Sequence, residues 1–172
     1  MKKVSSKYRE LVDSYLQYAL FIDIAVIGIL WLLNSKVHLF EFEFEFKSKT
    51  EHLSLIENII GASISLAGFI LASLTIIVAI RSNILSKQPE SSENPLELFF
   101  ASGTYKAIVK VFKIAITELV LCFIVSYIIT ISSANLENNF LFKSLIGLIY
   151  LVSVSTMRSL FVLFLLIDVD GK

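Results

Sequence analysis

LIENIIGASISLAGFILASLTIIVAI, Leu55 to Ile80, is the stretch on which the fold turns. A helix needs ~20 mostly apolar residues to cross the hydrocarbon core of a bilayer, and this run exceeds that length. Within it Gly61, Ser65, Gly68 and Ala72 recur at i, i+4, i+7 and i+11, so they share one helix face. Small side chains there leave a smooth groove that another helix can approach closely. The spacing suits a helix of the same chain and a helix of another copy equally well.

Working outward, three further windows have the same character: Tyr15–Leu33, Val111–Ile131 and Leu141–Ile167. The last is longer than a span requires and has room to tilt or to extend from the membrane. Gln88, Pro89 and Pro95 punctuate the chain after the second window, and Ala134, Asn135, Asn138 and Asn139 after the third. The sequence therefore predicts an all-α membrane protein, a four-transmembrane-helix bundle forming a single domain over 1–172. Composition agrees, since 56% of the 172 residues are hydrophobic and the mean hydropathy is +0.78, against roughly 45–50% apolar residues in soluble domains.

The basic residues set an expected orientation. Lys2, Lys3, Lys7, Arg9, Arg81, Lys87, Lys106, Lys110, Lys113 and Lys172 fall on one side of the predicted spans; Lys36, Lys47, Lys49 and Lys143 fall on the other. Because cytoplasmic loops carry the excess of Lys and Arg, both termini and the middle loop are expected in the cytoplasm and the chain in a bacterial inner membrane. The apolar stretch behind Lys2–Arg9 lacks a small-x-small cleavage pattern, so an uncleaved helix is expected in place of a signal peptide.

Two connections carry patterns of their own. Phe40, Phe42, Phe44 and Phe46 alternate with Glu41, Glu43 and Glu45, which is the two-residue period of a strand. A short external β-strand or hairpin in the first loop is expected, with its aromatic face on the bundle, the membrane or a contacting partner. Between the second and third windows, Leu96, Leu98, Phe99 and Phe100 form a short amphipathic elbow at the inner interface, followed by Lys106, Lys110 and Lys113 at a spacing that suits anionic headgroups.

Three ionisable residues lie deep in the predicted spans: Asp23, Glu118 and Arg158. A charge at such depth costs ~3 kcal/mol or more, so it turns to the bundle interior and pairs. Counted from the cytoplasmic ends, the three offsets are eight, seven and nine residues, within a few ångströms at ~1.5 Å per residue. One buried layer is expected, with a guanidinium forked between two carboxylates. It reads either as an ion network that holds helix register or as a gate that opens when the network breaks. Glu118, Cys122 and Ser126, and likewise Ser155, Arg158 and Ser159, extend it into polar stripes.

Catalytic chemistry has no foothold. There is no phosphate loop, nucleophile elbow or metal-spaced cluster, and His38 and His52 stand far apart, so no catalytic residue, metal or cofactor is expected. A net charge of zero points to no nucleic acid. The run SLAGFILASLTIIVAI, Ser65–Ile80, and the run SGTYKAIVKVFKIAI, Ser102–Ile116, resemble the plan of small four-helix bacterial membrane proteins encoded in antiphage defence loci, of which the membrane subunit of the Kiwa system is an example. That resemblance implies an inner-membrane homo-oligomer that senses infection or membrane perturbation and works with a cytoplasmic protein partner. The alternatives are a pore that depolarises the membrane and a passive scaffold.

Overall fold

In the computed structural model, residues 15, 18–33, 48–85 and 104–170 are described. Among them the chain is entirely helical: α1 (Tyr18–Leu33), α2 (Lys49–Leu85), α3 (Thr104–Ser132), a 3-10 turn (Ser133–Asn135) and α4 (Asn138–Asp170). The segments Lys49–Ser82, Tyr105–Asn135 and Asn138–Phe164 are each long and apolar enough to cross a membrane. Helix α1 has 16 described residues, about 24 Å at ~1.5 Å per residue, which is shorter than a full crossing. The strand expected at Phe40, Phe42, Phe44 and Phe46 and the elbow at Leu96–Phe100 lie outside the described residues, and no strand occurs among the described ones.

The helices outrun the hydropathy windows. Helix α2 begins six residues before Leu55 because a capping box starts it. The Ser48 N–H donates to Glu51 Oε2 at 3.3 Å and the Thr50 N–H donates to Ser48 Oγ at 3.3 Å, so two otherwise orphaned backbone donors are satisfied. Helix α3 likewise starts at Thr104, seven residues before Val111, and carries Lys106, Lys110 and Lys113 on its first turns. Hydropathy marks where water stops, whereas the backbone ladder continues as far as its ends can be capped or solvated.

Helices α2, α3 and α4 pack against one another as a bundle with α3 antiparallel to its neighbours. At one end the Arg81 guanidinium stacks over the Tyr105 ring, 4.0 Å from its centroid, joining α2 to α3. At the other, His52 Nδ1 and Asn138 Oδ1 hydrogen-bond at 2.7 Å, joining α2 to α4. The interior falls into two apolar clusters. Ile70, Leu74, Phe112, Ala115 and Leu119 belong to the one near Arg81; Ile56, Ile129, Leu141 and Leu145 belong to the one near His52.

Helix α1 lies on α4. Its Trp31 indole N–H donates to the Lys143 carbonyl at 3.1 Å, and its ring meets Phe140 edge-on at 5.7 Å. Gly147 permits this approach, since a Cβ there would stand 3.2 Å from Ile27 Cγ2.

The exterior is apolar. Phe21, Ile131 and Met157 are each more than 70% exposed, and Phe69, Ile76, Phe161 and Phe164 are also exposed. Hydroxyls are satisfied inside their own helices: Ser73, Thr75, Thr117, Thr130 and Thr156 each donate to the carbonyl four residues earlier. That pattern suits a medium without hydrogen-bond partners. An apolar coat around a bundle whose charged side chains turn inward is the arrangement a bilayer selects.

Candidate functional site

The charged layer lies between the two apolar clusters. Helix α4 supplies Arg158, α1 supplies Asp23 and α3 supplies Glu118, and all three are buried. The guanidinium works as a fork: Nη1 donates to Asp23 Oδ2 at 3.0 Å, and Nη2 donates to Glu118 Oε2. Both contacts are ion pairs. Three helices that share no local sequence are thus tied at one side chain. Lysine, a point charge without a planar fork, has no equivalent geometry.

Tyr15 joins the layer, although its sequence position suggests only an aromatic anchor near a helix end. Its hydroxyl donates to Asp23 Oδ1 at 3.1 Å and accepts a longer bond from Arg158 Nη1 at 3.4 Å, and the guanidinium lies 5.8 Å from its ring centroid. The available signal was the eight-residue separation of Tyr15 and Asp23, which is two turns along one helix face. Ser155 Oγ donates to the Ala115 carbonyl at 3.1 Å and so pins α4 to α3 beside Glu118. Ser159 Oγ instead donates to the Ser155 carbonyl of its own helix at 2.9 Å.

Formally the layer holds two carboxylates and one guanidinium, a net charge of −1. Two polar atoms in it, Arg158 Nε and Glu118 Oε1, are buried with no hydrogen-bond partner among the described residues. Unpaired polar atoms in a low-dielectric interior cost roughly 1–3 kcal/mol each. They leave the layer with unused capacity for one more donor and one more acceptor. Farther along the bundle Ser126 and Ser63 are fully buried and their hydroxyls also have no partner among the described residues. Cys122, the single cysteine, is buried beside them in the apolar cluster nearer His52.

The structure does not bring the small-residue face to this layer. Gly61, Ser65, Gly68 and Ala72 are all exposed, and nothing lies within 4 Å of where a Cβ at Gly61 or Gly68 would be. No described helix of the same chain fills that groove. Glu57, also inside the second window, is exposed on α2 and outside the layer. Among the described residues no three His, Cys, Asp or Glu side chains cluster as metal ligands.

Among the described residues, fold and site define a helical bundle with three helices long and apolar enough to cross a membrane and a buried three-helix ion network. No protein-family model, curated protein or solved structure matches the chain.

Proposed function

We propose that this chain is a non-enzymatic inner-membrane subunit, a sensor or effector of bacterial antiphage defence, acting as an oligomer with a cytoplasmic protein partner. In this reading four helices cross the membrane and both termini lie in the cytoplasm. The Arg158 layer is the element with two states. The observation that carries the mechanism is the single guanidinium held by carboxylates from two other helices. Breaking either pair frees α1 or α3 to move relative to α4, and the unpaired Arg158 Nε and Glu118 Oε1 are groups on which a rearranged layer can form new bonds. The defence role itself rests on the resemblance of Ser65–Ile80 and Ser102–Ile116. The alternating segment Phe40 to Phe46 is assigned as the sensing surface and the segment after Pro95 as the output, both outside the described residues.

A phage challenge of cells expressing the chain with its flanking genes tests this reading. Asp23→Asn keeps a side chain of the same size and removes one charge. At equal membrane levels it is expected to reduce protection at least tenfold. Undiminished protection would reduce the layer to a structural role.

The exposed Gly61–Ala72 face favours a second reading, a depolarising pore assembled from several copies. Because the charged layer is sealed within one chain, an ion path through it requires a rearrangement or a contact between copies. Gly61→Ile with Gly68→Ile is expected to leave the monomer folded, since both positions face open space, and to abolish any conductance and oligomer in liposomes. An oligomer that survives both substitutions would remove this face from the assembly.

A further inference from the structure

Helices α1 and α3 do not close on each other. Between them, floored by α4, runs an apolar cleft of about 420 Å³. Along α1 it extends from Leu20 to Trp31, and along α4 from Phe140 to Leu151. Each interval is eleven residues, or about 16 Å at ~1.5 Å per residue. One leaflet of the ~30 Å hydrocarbon core is about 15 Å deep. The cleft has the length of one leaflet.

Its position agrees with that measure. One end lies at Trp31 and Phe140, beside Lys143, whose carbonyl receives the Trp31 indole N–H. An indole and an ammonium at a helix end mark headgroup level. The other end lies near the depth of the charged layer, since Leu20 is one turn from Asp23 on α1. The rim is open sideways, as Ile24 is 50% exposed and Val125 43% exposed.

We infer that this cleft is a binding site for one acyl chain of a bilayer phospholipid, whose phosphate sits at the level of Trp31 and Lys143. Apolar atoms line nearly the whole groove, so it offers shape and dispersion contacts to a hydrocarbon chain and almost nothing to a polar ligand. Lys143 makes no ion pair among the described residues, and its charge complements a phosphate. Occupancy separates α1 from α3, so the chain acts as a spacer on the helix that carries Asp23. This site stands independently of any role in defence.

Native mass spectrometry of protein reconstituted in phosphatidylethanolamine–phosphatidylglycerol vesicles, then released in a mild detergent, tests it. One phospholipid is expected to stay with each chain. Val125→Phe, which fills the cleft from α3, lowers retention at least tenfold. Ile128→Phe, on the same helix, exposed and outside the cleft, leaves retention unchanged. Equal retention in the two variants, or none in the native chain, overturns the proposal. A dimer lost only in Val125→Phe, with no lipid bound, assigns the cleft to a second copy instead. A readout that needs no variant comes from Trp31, the single tryptophan. Acyl chains brominated near their carbonyl end are expected to quench it with a component that saturates at low mole fraction, and purely collisional quenching overturns the site.

Discussion

Arg158→Gln is expected to destabilise the bundle by about 3–5 kcal/mol, the cost typical of removing one partner from a buried ion network. The direction follows from charge. The native layer carries −1; without the guanidinium it carries −2, with Asp23 and Glu118 both buried and neither compensated. Asp23→Asn runs the other way, because Arg158 and Glu118 then form a neutral pair, so its loss should be clearly smaller. A neutral triple variant, Asp23→Leu, Glu118→Leu and Arg158→Met, should recover most of the stability lost in Arg158→Gln, since well-packed apolar replacements of buried ion groups are often neutral or better. Unfolding in mixed detergent micelles ranks the three. If the triple variant proves no more stable than Arg158→Gln, uncompensated charge is not what the single substitution costs.

The second large effect belongs to Gly147. Where α1 meets α4, a Cβ at Gly147 would lie 3.2 Å from the Ile27 Cγ2 methyl, so the Ile27 side chain must give way to any larger residue there. Gly147→Leu is expected to crowd Ile27 and displace α1, and overpacking of this kind costs typically 1–3 kcal/mol. Displacing α1 also weakens the Trp31–Lys143 bond and the Asp23–Arg158 pair, which tie the same two helices. Cleavage by an added protease within residues 1–33 should therefore accelerate. Ile27→Ala should restore part of the loss, a non-additivity expected of residues in contact. Gly68→Leu is the internal control: it faces open space, and replacing glycine inside a helix gains up to ~1 kcal/mol. If Gly68→Leu and Gly147→Leu behave alike, close α1–α4 packing is not the cause.

The sequence by itself determined the helical class of fold and that its helices are long and apolar enough to cross a membrane. Long, predominantly apolar windows cannot be hidden in a soluble domain of this size, so helices with an apolar exterior follow from length and composition. It also determined that Asp23, Glu118 and Arg158 belong at one depth, because helical rise converts sequence offset directly into height. Rise says nothing about azimuth. Only the tertiary structure decided that Tyr15 enters the layer from eight residues away and that the small-residue face of α2 looks outward. Those outcomes depend on how whole helices rotate about their axes and against one another. In a bilayer the rotation is not set by the hydrophobic effect, since lipid tails are as apolar as the helix surfaces. It is set by a few polar pairs and close contacts between residues far apart in sequence, such as Asp23 with Arg158 and Ile27 with Gly147, which no local pattern records.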